Sequence, residues 1–298
     1  MESIRKAEGS VLLLDCGALF DTEQDTAELL INAMEIMGYD ALNLGGAEFH
    51  FGSEFLARAR SRVSFPFVAS NLFSGGNRPS WTREYIIKEV GGIQVAILGI
   101  VSPGELAQLP NQERVKDLRV IPPEIALARL LPEVRGKAEL VILLSRLGAA
   151  QTRTLVQTVP GIDVAISSGD DDAFFTLAPD DTVLQTGALG RRVGFLKVSL
   201  DENGGLSVNE NRNVSLGRSV PDNAKVARLV ETFKENQAKQ IADLEKRKKQ
   251  ELMQGLELSP AEFMERYQRE QSEKNSRATE LRPPRGAESR GSEAANPS

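Results

Sequence analysis

The stretch Gly38-Tyr39-Asp40-Ala41-Leu42-Asn43-Leu44-Gly45-Gly46-Ala47-Glu48-Phe49-His50-Phe51-Gly52 decides how this chain is read. Residues 41–44 read as a short strand. Upstream, Leu29, Leu30, Ala33, Met34 and Met37 recur at the spacing of an amphipathic helix over 26–38, with Gly38 at its C-terminal end. Downstream, Gly45-Gly46 signals a loop, and a second helix is predicted over 54–62. The loop holds Glu48 and the chain's single histidine, His50.

The same alternation extends in both directions. Residues 11–14 read as a strand buried on both faces, ending at Asp15-Cys16-Gly17, and 65–70 as a third strand. Two runs over 85–90 and 93–101 flank Gly91-Gly92, a hairpin signal. Helices are predicted over 125–131 and 152–159, and strands over 138–144, 162–166, 181–186 and 192–200. Strands mixed with helices around a central hairpin imply a sandwiched α/β sheet.

Composition narrows the function classes. With 41% hydrophobic and 26% charged residues in 298, the chain is globular and long enough for a sizeable core. A net charge of −6 argues against nucleic acid as the partner. Of 36 basic and 42 acidic residues, 15 and 14 fall after residue 218, so residues 1–218 carry a net of −7. Cys16 is the only cysteine, which rules out an intrachain disulfide and a thiolate zinc cage. It reads as a small buried hydrophobe. No apolar run approaches the ~20 residues that span a bilayer, so no transmembrane segment is expected. As it stands the chain has no signal-peptide layout at its start. The expectation is a cytoplasmic protein, reversed to periplasmic or exported if the true start lies upstream of Met1.

Past Pro221 the pattern changes. Val226, Leu229, Val230 and Phe233 keep helical spacing with Asp222 as the expected cap, then the apolar stripe thins to Ile241, Leu244, Leu252 and Met253. Lys246-Arg247-Lys248-Lys249 reads as a solvated helix face. Ser259-Pro260 opens a second helix over 261–271. The organisation expected is a body over 1–218, a helical extension over 219–273 and a disordered tail over 274–298. The helices of the extension offer a surface to a protein partner.

Several motifs resemble the calcineurin-like metallophosphoesterases, on their 5′-nucleotidase branch. The opening stretch is similar to that family's G-Y-D-A-x-x-x-G-N-H-E-F-D. Leu12-Leu13-Leu14-Asp15-Cys16-Gly17-Ala18 looks like L-L-D-A-G-D, and Phe65-Pro66-Phe67-Val68-Ala69-Ser70-Asn71 like F-P-x-x-x-A-N. Gly92-Ile93-Gln94-Val95-Ala96-Ile97-Leu98-Gly99-Ile100 matches G-x-K-V-G-I-I-G. Ile142-Leu143-Leu144-Ser145-Arg146-Leu147-Gly148 resembles V-x-L-S-H-x-G, and residues 163–171 resemble D-x-I-I-x-G-H-T-H. Val183-Leu184-Gln185-Thr186-Gly187 is similar to the following V-V-Q-A-G. The resemblance covers about residues 8–200 and implies a metallophosphoesterase-like α/β/β/α sandwich. The family's first strand, carrying D-x-H, and its C-terminal nucleobase-binding domain have no counterpart in these residues.

The resemblance also assigns the positions that would carry chemistry. Ala18 stands where the family has a metal-bridging Asp, Gly46 where it has a metal-binding Asn, and Ala47 where it has the His that stabilises the transition state. Arg146, Gly169 and Asp171 replace three further histidines, and His50 replaces an Asp. Glu48 matches. A metal pair lowers the pKa of bound water only if imidazoles and carboxylates hold it. The expectation is therefore a degenerate member with no cofactor, acting as a binding or scaffold domain. The alternative is a phosphohydrolase holding Mg²⁺ or Ca²⁺ on oxygen ligands from Asp15, Glu48, Asp170, Asp171 and Asp172. Arg146 is expected to replace the missing cations and pair with Glu48 or the acidic run, or to take a phosphate bidentately.

Overall fold

The computed structural model describes residues 2–168, 183–185, 190–218, 220–255, 261–262 and 264–269. Two compact units divide the chain, Met1–Glu231 and Thr232–Ser298. The first contains α1 (Glu2–Glu8), β1 (Leu14–Asp15), α2 (Gln24–Met37), β2 (Ala41–Asn43), α3 (Gly52–Ser61), β3 (Phe67–Val68) and β4 (Leu72–Ser74). The hairpin strands β5 (Tyr85–Val90) and β6 (Ile93–Ile100) follow, then α4 (Pro103–Ala107) and β7 (Leu118–Val120). Next come α5 (Pro123–Arg135), β8 (Leu140–Ser145), α6 (Ala149–Thr158), β9 (Val164–Ser167), β10 (Val183–Gln185), β11 (Arg192–Leu200) and β12 (Leu206–Ser215). The helix α7 (Ala224–Gly255) starts in this unit.

Two sheets face each other between two helical layers. One is parallel, in the order β1-β2-β3; the other runs β10-β9-β8-β6-β5, parallel except for the β5–β6 hairpin. Strand periodicity builds the layers. Along β8, Leu140, Ile142 and Leu144 point into the core between the sheets, where they meet Cys16, Ala41 and Val68. Val141 and Leu143, on the other face, pack with Leu127, Leu130, Leu131 and Val134 of α5 and Leu155 of α6. A third core joins α2 and α3, through Ile31, Met34, Phe55 and Leu56, to Leu42 and Phe67 of the parallel sheet. The strands read as continuous apolar runs because both faces are buried.

Local signals explain the boundaries. Gly38 ends α2 at φ 70°, the left-handed cap that glycine adopts without a Cβ penalty. Arg5 reinforces that end by donating to the carbonyls of Met37 (2.8 Å) and Gly38 (2.6 Å). Gly91-Gly92, both at positive φ, make the two-residue turn that sets Val90 opposite Ile93.

Some expectations need correcting. The first strand lies at Leu14–Asp15 rather than 11–14, and the third shortens to Phe67–Val68. The helix α1 and the strand β12 were not foreseen. Asn223, not Asp222, caps α7: its Oδ1 accepts from the backbone N–H of Lys225 (3.0 Å) and Val226 (3.2 Å). In the second unit α7 exposes Ile241, Leu244 and Leu252, and Lys249 lies over the ring of Tyr267 at 5.5 Å. Gly169, Asp170, Asp171, Asp172 and the tail from Lys274 lie outside the described residues.

The two sheets lie in close contact at Gly99. A Cβ there would stand 2.4 Å from Asn43 Oδ1 and 2.6 Å from the Val68 carbonyl oxygen. Gly99→Ala should therefore lower unfolding free energy by about 2–3 kcal/mol, the upper range for overpacking a core. Urea denaturation checks this. A loss under about 0.5 kcal/mol would mean the sheets are not this close.

Candidate functional site

The loops that follow β1, β2, β6 and β8 meet at one end of the sandwich. In parallel α/β sheets that end, beyond the strands' carboxyl termini, is where ligands bind. Backbone pairing places the loop residues: Arg146 N–H donates to the Ile100 carbonyl at 3.1 Å and Ser168 N–H to that of Ser145 at 3.2 Å. Asn43, fully buried, donates from Nδ2 to the carbonyls of Cys16 and Ile100, each at 3.1 Å. It thereby ties the end of β6 to the residue following β1.

Glu48 is fully buried in a 3-10 turn, Gly46–Phe51, directly after β2. Its Oε2 accepts from the N–H of Ala18 (2.8 Å) and Gly45 (2.6 Å), and its Oε1 from that of Leu19 (2.6 Å). Burial pushes this carboxyl above the ordinary range, against the downward pull of the three donors, and nearby Asp15 adds to the rise. Asp15 is raised as well, by burial first, while the Gly17 N–H (2.8 Å) and the Arg146 charge pull it down.

Arg146 is the cation of the site. Its side chain is only 10% exposed. It pairs with Glu105 on α4, through Nη2 to Oε1 and Nε to Oε2, and donates from Nη1 to Ser168 Oγ at 2.8 Å. Glu105 Oε2 also accepts the Gly46 N–H at 2.9 Å. The expected pairing with Glu48 is thus corrected. Gly45 stands between the two groups, since a Cβ on it would lie 2.9 Å from Arg146 Nε and 3.2 Å from Glu48 Oε2. Gly46 is packed beneath α4: a Cβ there would come within 2.9 Å of Glu105 Cβ.

The other sequence candidates divide. Ala18 joins the site through its backbone, held at φ 63°. Ala47 packs against the helical core. His50 makes no described bond to Asp15, Glu48 or Arg146. Its carbonyl accepts from Arg114 (2.6 Å), and its buried Nδ1 has no partner. Asn71 is structural, donating to the carbonyls of Val101 (3.0 Å) and Ile121 (3.1 Å). Ser145 Oγ is buried against Thr152 Oγ1 at 2.7 Å. Among the described residues no three His, Cys, Asp or Glu come together as a metal-holding group.

Glu105 and Asn43 are the residues that reading the sequence missed. Ser102-Pro103-Gly104-Glu105 has the S-x-x-E spacing of a helix start. That pattern announces α4, but nothing in it says that the carboxylate turns towards Gly46 and Arg146.

Known proteins supply the context for this geometry. No family model matches the chain. It is 28% identical over 262 residues to a mouse 5′-nucleotidase, an alignment covering 76% of this chain and 44% of that protein. It is 30% identical over 165 residues to the Bacillus subtilis metallophosphoesterase YunD, covering 53% of this chain and 35% of the other. The chain therefore spans less than half the length of these curated relatives. Among solved structures, a 5′-nucleotidase from Staphylococcus aureus superposes with a TM-score of 0.68 at 17% identity, over 78% of this chain and 51% of that one. The calcineurin-like phosphoesterase YfkN of Bacillus subtilis gives 0.66 at 19% identity, over 79% and 86%. The fold is that of the calcineurin-like phosphoesterases. Its sequence relatives include 5′-nucleotidases and a metallophosphoesterase, in keeping with the resemblance of its motifs.

Two measurements test the site. Arg146→Met should cost about 1–3 kcal/mol, since it leaves Glu105 unpaired in a half-buried position, and adding Glu105→Gln should recover part of the loss. Additive losses in the double variant would deny the coupling. Cys16, whose thiol is pushed up to about 12 by burial and by the Asp15 charge, donates to the Ile166 carbonyl at 3.2 Å. It should resist an aromatic disulfide reagent at pH 8 until the protein is unfolded, because the thiolate is the reacting form. Rapid labelling of the folded chain would contradict this burial.

Proposed function

We propose that this chain is a catalytically degenerate member of its family that serves as a binding or scaffold domain. The observation that carries the reading is the Arg146–Glu105 pair lodged against Gly46. By the resemblance, two metal ligands would stand at positions 46 and 146. At one there is a guanidinium, whose fixed positive charge repels a metal ion. At the other, glycine leaves room only for the Glu105 side chain. Both oxygens of Glu48 are engaged by backbone donors, so this carboxylate is committed to holding the loop. The described residues therefore do not fit a two-metal centre.

Ala18 supports the same reading. A non-glycine residue at φ 63° is strained, and Asn or Asp tolerates that region better than Ala. The resemblance puts Asp at this position, so the loop shape is one that suits the residue it lacks. The long helix α7 is the surface proposed for a protein partner. No described helix is long and apolar enough to cross a membrane.

The test is hydrolysis of a chromogenic phosphate ester and of a 5′-nucleotide with Mg²⁺, Mn²⁺ or Ca²⁺, alongside elemental analysis of the purified protein. Turnover should match the protein-free control, and no stoichiometric transition metal should be found. An enzyme of this class needs a metal-activated hydroxide and a group to stabilise the developing charge. Metal-dependent turnover that disappears when Asp170, Asp171 and Asp172 are changed to Ala would overturn the proposal in favour of an oxygen-ligand site.

A further inference from the structure

The chain's only tryptophan, Trp81, lines a pocket of about 240 Å³ with Arg60 and Ser61 of α3 and with Ser80, Thr82 and Arg83, which lead into β5. The cleft residues Asp15, Glu48, Glu105 and Arg146 take no part in it. Its lining holds two arginines and no carboxylate.

Both arginines stand on fixed backbone. Arg60 is half-buried and donates from Nη1 to the Val63 carbonyl at 2.8 Å. The Arg83 N–H donates to the Phe67 carbonyl and its own carbonyl accepts from Ala69 N–H, each at 2.8 Å, so this residue lies along β3. Between them the Pro79 carbonyl accepts both the N–H (3.0 Å) and the Oγ1 hydroxyl (3.1 Å) of Thr82, a turn that sets Ser80 and Trp81 in place.

The positive charge is not neutralised by the described residues. Arg60 spends one donor on a neutral carbonyl, and the Arg83 side chain has no described hydrogen bond or ion pair. The neighbouring carboxylates are taken: Glu84 pairs with Arg78 and Arg129, and Glu28 with Arg62. The C-terminal end of α3 favours a cation, which accounts for Arg60. It does not account for a second cation brought to the same pocket by another element. The Trp81 indole N–H and the Ser80 hydroxyl also have no described partner.

We propose that this pocket binds a phosphate dianion, free or as the monoester end of a small molecule. Two fixed positive charges balance a doubly negative group, and guanidinium forks match phosphate oxygens. The indole N–H and the Ser80 hydroxyl add donors for the remaining oxygens. A carboxylate would leave one charge unbalanced. The volume lies below the ~300–1,000 Å³ of pockets that enclose drug-sized ligands, which limits the ligand to a small one. The inference is independent of whether the cleft retains chemistry.

The test uses the full chain at pH 8, where a phosphate monoester is doubly charged, at constant ionic strength. Because Trp81 is the only tryptophan, its fluorescence reads this pocket. Inorganic phosphate and phenyl phosphate should each change it saturably, with a Kd of about 1 mM or tighter by calorimetry. Acetate should bind about tenfold more weakly or worse. Tighter binding of phenyl phosphate would identify a monoester as the ligand, and tighter binding of inorganic phosphate the free ion. Arg83→Gln, whose exposed side chain supports no described contact, should keep the thermal transition and weaken phosphate binding more than tenfold. Arg146→Met should leave phosphate binding unchanged. The inference is overturned if neither phosphate binds, if acetate binds as well, or if Arg83→Gln binds like the wild type. Binding that survives Arg83→Gln and is lost in Arg146→Met would put the anion in the cleft, which overturns it equally.

Discussion

A carboxylate taken out of water must be met by donors, and at Glu48 the backbone meets it three times over. Because the donors are the N–H groups of Ala18, Leu19 and Gly45, the side chain fixes two loops at once, those after β1 and β2. The unusual backbone between Gly17 and Ala18, both at positive φ, follows from turning successive N–H groups towards one acceptor. Everything the cleft displays is referred to this anchor. Gly45 is held by it, Gly46 is thereby set against Glu105, and Glu105 in turn orients Arg146.

The second constraint is the narrow spacing of the two sheets at the same end. Three buried polar side chains act there as cross-links. Asn43 bonds the carbonyls of Cys16 and Ile100, Ser70 Oγ accepts the N–H of Gly99 (3.1 Å), and Asn71 Oδ1 accepts that of Val101 (2.9 Å). Strand ends expose backbone groups that no ladder satisfies. Here the side chains of the facing sheet satisfy them, so loop position and sheet packing are one problem. Only glycine at position 99 lets the sheets close far enough for these bonds to form.

Much of the architecture was legible because its causes are local. Burial on both faces writes itself as runs such as 140–144, and the Gly91-Gly92 turn and the Gly38 cap each need a backbone that glycine supplies. The candidate cleft was legible only in part. Motif order brought the loops of Ala18, Gly46 and Arg146 to one place, because each follows a strand of a sheet whose order the motifs imply. Their partners were not legible. Glu105 lies 41 residues from Arg146, and no periodicity relates the two. The helix α1 escaped notice because seven residues with few apolar positions give no stripe. The strand β12 escaped because its polar residues, Asn209 to Asn213, are atypical of a strand and are held there by pairing with β11.

If the cleft is degenerate, its electrostatics still had to be balanced. A site shaped for cations is rich in oxygen acceptors, and losing the cations leaves Asp15 and Glu48 near one another with their charges unopposed. Both carboxyls are raised by burial, and the Coulombic effect of Asp15 adds to the rise at Glu48. Arg146 offsets part of this, since its charge pulls Asp15 down. An arginine does so at fixed charge and with a planar set of donors, which a lysine or histidine would not match. Glu105 then neutralises the arginine and fills the space above Gly46. The result is a chain of charge and hydrogen bonds that runs from Asp15 through Arg146 and Glu105 to Gly46. Such a cleft can be kept for its shape alone.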